Sequence, residues 1–203
     1  WQETTGEEYP TTEKGEGENK SKKQPAGKVK KIRLFPTTKQ KQILNNWFGT
    51  ARWTYNQVLA TMIKGGVSFN KKEMRAKHVN NDQFGGNDKE WVLKTPYDIR
   101  DAAMIEVMNA YGSNFAKRRR NPAHTFKIKF RSKYAESQAI TIHCKHWKGS
   151  GRFFKTFWTD GPLKAAELLP NDLVYDTKLV KDRLGRFFLC QILPLQEVHG
   201  DPV

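Results

Sequence analysis

The spacing of apolar residues changes character along this chain. Residues 1–27 are Glu, Lys, Gly, Thr and Pro with almost nothing to bury, which predicts a disordered leader. In KVKKIRLFP (28–36), Val29, Ile32 and Leu34 stand among Lys and Arg, a short strand that Pro36 stops. Thr37 and Gln40 have the spacing of a capping box. Behind them Ile43, Leu44, Trp47, Ala51, Tyr55, Val58, Leu59 and Met62 recur at three and four, one buried face of a helix running to about Ile63. Gly65 and Gly66 end it. Residues 67–97 are polar and irregular, with a short helix expected at 70–79; the stretch reads as an insertion or a ligand-contacting excursion.

Pro96 opens a second long helix, with Asp98 or Asp101 near its positive end. Its apolar stripe, from Ile99 through Met104, Val107, Met108 and Tyr111 to Phe115, is wide enough to pack on two sides. KRRRNP (117–122) closes it with the cationic end that the helix dipole favours. The period then becomes two. TFKIKFRSK (125–133) places Phe126, Ile128 and Phe130 on one face of an expected strand and Lys127, Lys129 and Arg131 on the other. AITIHC (139–144) alternates likewise, GRFFKTFW (151–158) is a strand candidate, and DTKLV (176–180) with RFFLCQILPL (186–195) flanks KDRLG as a hairpin. A lone first strand needs partners, so it is expected to join the later strands, with the helices inserted between: a two-lobed α+β chain.

Composition adds a partner. The chain has 203 residues, 37% of them hydrophobic, and its 12 Phe, 6 Tyr and 6 Trp predict an aromatic-rich core for one domain or two small ones. The formal charge is +15, and residues 1–20 alone contribute −4, which leaves +19 on the rest. A surplus of that size on a folded body points to a polyanion, because neutralising phosphates releases counterions. Cys144 and Cys190 sit in alternating runs and read as buried free thiols of a reducing compartment. No run approaches a membrane span and no signal peptide opens the chain, so neither a membrane partner nor secretion is expected. The start at Trp1 reads as a piece of something longer.

Catalytic motifs are missing: no HExxH, GxSxG, Walker loop or CxxC, and carboxylates are too thin for a metal cluster. HCKH (143–146) spaces two histidines three apart, but strand alternation sends His143 and Cys144 to opposite faces, so no metal is expected. Two basic tracts are the stronger signal. Residues 20–72 hold thirteen Lys and Arg and no acid, and 107–135 hold eight more, again with none. If both line one groove, Lys30, Lys31, Arg33, Lys39, Lys41, Lys117, Arg118, Arg119, Arg120, Lys127, Lys129, Arg131 and Lys133 would fix phosphates without reading sequence. On the first helix, FGTARWTYNQ (48–57) gives its aromatics mostly to the core. Arg52 and Asn56, four apart, remain to hydrogen-bond a backbone or a base edge, and Trp53, off the stripe, to stack on a base or a neighbouring helix. Gly49 allows something to approach closely. A helix-turn-helix is not expected, because 67–97 is too long for its tight turn.

The combination of KIRLFPTTKQKQILNNWFGTARWTYNQ (31–57), TPYDIRDAAMIEVMNAYGSNFAK (95–117) and HTFKIKFRSK (124–133) resembles the N-terminal half of TnpB-type transposon proteins, and especially their Fanzor relatives. Those proteins are RNA-guided DNA endonucleases. The resemblance covers about 30–195 and implies an antiparallel wedge-type β-barrel (28–36 plus 124–175), an inserted helical recognition lobe (37–123), and a hairpin (176–203) leading to a RuvC-like nuclease domain that is not present. It implies a structured guide RNA and target DNA as partners, with the missing nuclease domain in cis. An intact parent would use Mg2+; this piece would need no cofactor, would bind and would not cut. Asp201 resembles the start of a catalytic motif only superficially. The implied compartment is the nucleus for a eukaryotic or viral protein and the cytoplasm otherwise. Two alternatives are a stand-alone DNA-binding or regulatory module and a basic protein-interaction domain.

Overall fold

In the computed structural model, residues 27–65, 69–86, 88–154, 157 and 161–194 are described; the expected leader and Asp201 lie outside them, save for Gly27. Strand β1, Gly27–Phe35, buries Ile32 and Leu34 and leaves Lys31 and Phe35 exposed, as alternation requires. Helix α1, Thr38–Lys64, begins with the predicted capping box: Thr37 Oγ1 accepts from the Gln40 N–H at 3.3 Å, and Gln40 Oε1 accepts from the Thr37 N–H at 3.0 Å. It continues unbroken for 27 residues and stops at Gly65, whose φ of 74° a residue with a β-carbon resists. The predicted stripe is buried from Leu44 to Leu59, with Phe48 added to it.

The excursion is a packed cap. Helix α2, Lys71–His78, and two short 3-10 turns at Asn81–Gln83 and Glu90–Lys94 bury Met74, Val79, Phe84 and Val92. Its strut comes from helix α3, Tyr97–Arg120. Arg100, 2% exposed, donates at 2.7 Å to the Val79 carbonyl and to Asn81 Oδ1, with the Phe84 and Tyr97 rings each 5.6 Å from its guanidinium carbon. Arg75 pairs with Asp101 at 2.6 Å and ties α2 to α3. Helices α1 and α3 pack together through one apolar core that includes Tyr55, Val58, Met104, Val107 and Met108.

Two expected strands are absent as strands. Residues 125–132 have no regular secondary structure and pair with no strand, and Lys133 lies in a turn. Their alternation also changes phase: Phe126 and Ile128 are half-buried, but Phe130 is 55% exposed and Arg131 turns inward. In 151–158 the described residues form an aromatic plug in place of a strand. Phe153, Phe154 and Phe157 ring Trp47 at 5.4–6.2 Å, and Phe153 stacks on Trp147 at 5.7 Å. Only the Trp147–Phe153 bridge is β-like there.

The remaining strands are β2 Ser137–Ile142, β3 Lys164–Ala165, β4 Thr177–Asp182 and β5 Phe187–Pro194. They make one five-stranded sheet in the order β2-β4-β5-β1-β3, antiparallel throughout. The first strand does join the later ones, along eight register pairs with β5 from Gly27↔Pro194 to Leu34↔Phe187. The sheet is open, which corrects the expected barrel. Closure would require β2 to pair with β3, and β3 has two residues. Residues 125–133 lie against the helices instead, and the described residues of 151–158 fill the plug.

Candidate nucleic-acid interface

After Arg120 the chain folds back along α3. The His124 ring meets Asn114 Oδ1 at 3.1 Å, the Phe126 ring lies 5.6 Å from Phe115 and 5.8 Å from Tyr111, and Arg131 donates to Glu106 at 2.7 Å. The contacts move back along the helix from residues 114 and 115 to Tyr111 and then Glu106. Lys127 and Lys129 are exposed on this returning segment, beside the exposed Lys117, Arg118, Arg119 and Arg120 of the last helical turn. None of these six meets an acid among the described residues.

Arg131 is different. Its guanidinium lies 3.9 Å over the Tyr55 ring, and Glu106 accepts from it with one oxygen and from the Lys178 ammonium, at 2.7 Å, with the other. Burial pushes the Glu106 carboxyl up, but the Lys178 and Arg131 charges outweigh it and hold the carboxyl below its ordinary value. Asn56 completes the clasp: its Nδ2 donates to the Arg131 carbonyl at 3.0 Å, and its Oδ1 accepts from the Arg131 N–H at 2.8 Å. The amide thus stands where a neighbouring strand would, and both its groups are engaged within the fold.

One helical turn back, the chain passes Arg52. Here Arg52, Lys133 and Lys181 surround a pocket whose other walls are Asn45, Phe48, Gly49, Tyr134 and Gln138. Their partners are amides: Lys181 donates to Asn45 Oδ1 at 2.7 Å, and Arg52 donates to Gln138 Oε1 at 3.0 Å. Burial, with the charges of Arg52 and Lys133, lowers the Lys181 ammonium from its ordinary value. The pocket adjoins a cleft of about 220 Å³ that shares Phe48, Arg52 and Gln138 and adds Arg131, three alanines and two serines. Lys181 and Tyr134 were not among the sequence candidates.

The other candidates are scattered. On β1, Lys30 pairs with Glu167 at 2.6 Å, while Lys31 and Arg33 lie 4.3 and 5.0 Å over the Phe188 ring of β5. Lys39 and Lys41 are exposed near the start of α1. Trp53 is half-buried and packs edge-on against Trp91 and Phe84 of the cap at 5.4 and 6.0 Å. The histidines of HCKH diverge: His143 meets Asp176 at 2.7 Å and His146 meets Asp98 at 2.8 Å, across a 3-10 turn that follows β2. Cys144 and Cys190 are free and half-buried, more open than expected. Among the described residues, no three His, Cys, Asp or Glu side chains gather as metal ligands would, and no helix is long and apolar enough to cross a membrane.

The family model HTH_OrfB_IS605, described as a helix-turn-helix domain, matches residues 27–65. A viral protein named Putative transposase A625R, from Paramecium bursaria Chlorella virus 1, is 26% identical over 133 residues, covering 60% of this chain and 31% of the relative. The chain therefore spans about a third of that relative's length. It carries a domain that resembles those of helix-turn-helix, transposase-related proteins. The residues matched by the helix-turn-helix model are β1 and one unbroken helix, with no turn inside it. Both long helices of the lobe are present, but the cap separates them.

Proposed function

We propose that this chain is the nucleic-acid-binding part of a transposase-related protein, holding a guide RNA and the target DNA paired with it chiefly through their phosphates. The observation that carries the binding is the run from Lys117 to Lys133, in which Arg131 alone meets an acid among the described residues. Cations without internal partners are what a phosphate backbone neutralises. The guide is supported by the likeness of 31–57, 95–117 and 124–133 to TnpB and Fanzor proteins. Magnesium chemistry does not fit the described residues, which bring no carboxylate cluster together; no cutting step is assigned to them.

The match to a helix-turn-helix model favours a second reading, a stand-alone module that binds duplex DNA. Purification followed by recovery of nuclease-protected RNA separates the two, together with titration of labelled DNA duplex and RNA–DNA hybrid. The guide reading expects protected RNA and tighter binding of the hybrid. Equal affinity for duplex DNA with and without RNA would sink it in favour of the second.

A further inference from the structure

The pocket around Gly49 has a feature that the fold itself does not use. Gly49 lies in the interior of α1, where alanine is the better helix former. A β-carbon built there meets no atom within 4 Å, so nothing in the protein demands glycine. Its φ is not positive either. What the missing side chain leaves is open floor beneath Arg52, Lys133 and Lys181. Arg52 and Lys181 are held by amides, the charges of Arg52 and Lys133 act against that of Lys181, and no acid lines the pocket; Glu136, nearby in sequence, is exposed and outside it.

Tyr134 stands at the rim. It is 83% exposed, its backbone N–H is fixed on Ser132 Oγ at 3.0 Å, and its ring meets no other ring among the described residues. Such a ring beside three cations offers a face on which a base can stack. The adjoining cleft, at about 220 Å³, is smaller than the roughly 300–1,000 Å³ of ordinary small-molecule sites. A duplex cannot enter either space, since its bases are stacked and paired.

We propose that this pocket receives one unpaired nucleotide of a single strand, its phosphate over Gly49 among Arg52, Lys133 and Lys181 and its base on Tyr134. The inference rests on the nucleic-acid reading above and adds the strandedness and the position. RNA and DNA share the chemistry involved, a phosphate and a planar base, so both strands are used as probes.

The test is fluorescence anisotropy on the full chain with labelled oligouridylate, oligothymidylate and a blunt duplex. Tyr134→Ala is expected to weaken single-strand binding about 5- to 150-fold and duplex binding far less, with Tyr134→Phe restoring it. Gly49→Leu is expected to weaken single-strand binding while the melting temperature stays at or above that of the wild type, so the loss is not unfolding. Leu168→Ala, remote and 93% exposed, serves as the neutral control. Wild-type affinity in both Tyr134→Ala and Gly49→Leu overturns the pocket and leaves the nucleic-acid reading standing; so does an equal loss on duplex and single strand. Failure of the wild type to bind any of the three probes at low salt overturns that reading itself. Whichever single strand binds the wild type more tightly names the source of the nucleotide.

Discussion

Two groups of cations gather beside α1, one at Tyr55 and Asn56 and the other around Arg52 and Gly49, and differ in what they face. Arg131 and Lys178 converge on Glu106, with Tyr55 and Asn56 fixing Arg131 from the other side. Arg52, Lys133 and Lys181 converge on space, steadied only by Asn45 and Gln138. By sequence Arg131, Arg52 and Lys133 come from the same acid-free basic tracts, and Lys178 and Lys181 share β4. The first group is a joint between α1, α3 and the sheet, in which one half-buried carboxylate engages both cations and offsets part of their charge. The second keeps its charge for something outside. A count of Lys and Arg therefore overstates the interface; the placement of the few acids decides which cations remain available.

The largest contrast should appear in salt dependence. Replacing Lys117, Arg118, Arg119 and Arg120 together by Ala is expected to reduce the slope of log K against log salt by roughly 3 for a single strand. Arg131→Ala should change that slope much less per charge, because its side chain is engaged by Glu106 and the Tyr55 ring. Equal reductions per charge removed would erase the distinction between the two groups.

Stability should separate them with opposite signs. Glu106→Ala strands two charged partners and is expected to cost on the order of 2–3 kcal/mol in urea unfolding at neutral pH. Lys181→Met relieves repulsion and should cost little or stabilise. The pH dependence follows from the same shifts. Glu106 lies below its ordinary 4.5 in the folded state, so its contribution is whole above that value and is lost as pH falls through the folded one. Lys181 lies below its ordinary 10.5, so the unfolded chain holds that proton more tightly, and stability should rise as pH climbs through the folded value toward 10.5. A Glu106→Gln variant with an unaltered acid limb would remove Glu106 from its place as the joint.

That acid limb has a second contributor, which sharpens the measurement. Burial, and then the charge of Lys77, lowers the His78 ring to about 4 from 6.5. The ring sits neutral against the Thr61 hydroxyl at 3.0 Å. The unfolded chain takes the proton first, so stability should be whole above pH 6.5 and fall as pH drops from there to about 4. His78→Gln is expected to flatten melting temperature in that window and leave the fall below it, where Glu106 acts. A variant with an unchanged profile would show that the ring titrates freely.

How far the sequence carries the reader follows from the same two groups. Helix α1 was legible to its caps because Thr37, Gln40 and Gly65 are local signals and a long periodic stripe separates them. The β4–β5 hairpin was legible for the same reason. The barrel was not there, because alternation in 125–133 reports an extended chain with one buried side and says nothing about a ladder partner. An asparagine on a helix supplied the partner instead. The phase change at Phe130 and Arg131 was equally hidden, since it depends on Glu106 and the Tyr55 face lying inside to receive a guanidinium. Arg52 and Lys133 could be picked from the basic tracts. Lys181 could not, as it stands 136 residues from the asparagine that orients it, in a stretch whose local signal is a turn.

A smaller effect than the loss of Glu106 concerns Asn56. Sequence reasoning offered Asn56 to a base edge, while the fold engages its donor and its acceptor with the backbone of Arg131. Asn56→Ala is expected to cost about 1 kcal/mol, less than the loss of Glu106, because Glu106 and Tyr55 still hold the Arg131 side chain. The change should be local: amide hydrogen exchange at Arg131 quickens, with little change in the centre of α1. If Asn56 served mainly as a reader of bases, exchange at Arg131 would stay slow while preference among oligonucleotide sequences shifted. Loosening at Arg131 would also reach Lys133, two residues on, so a modest fall in single-strand affinity without a change in salt slope is the expected companion. That pairing would mark Asn56 as the link between the Glu106 joint and the open pocket.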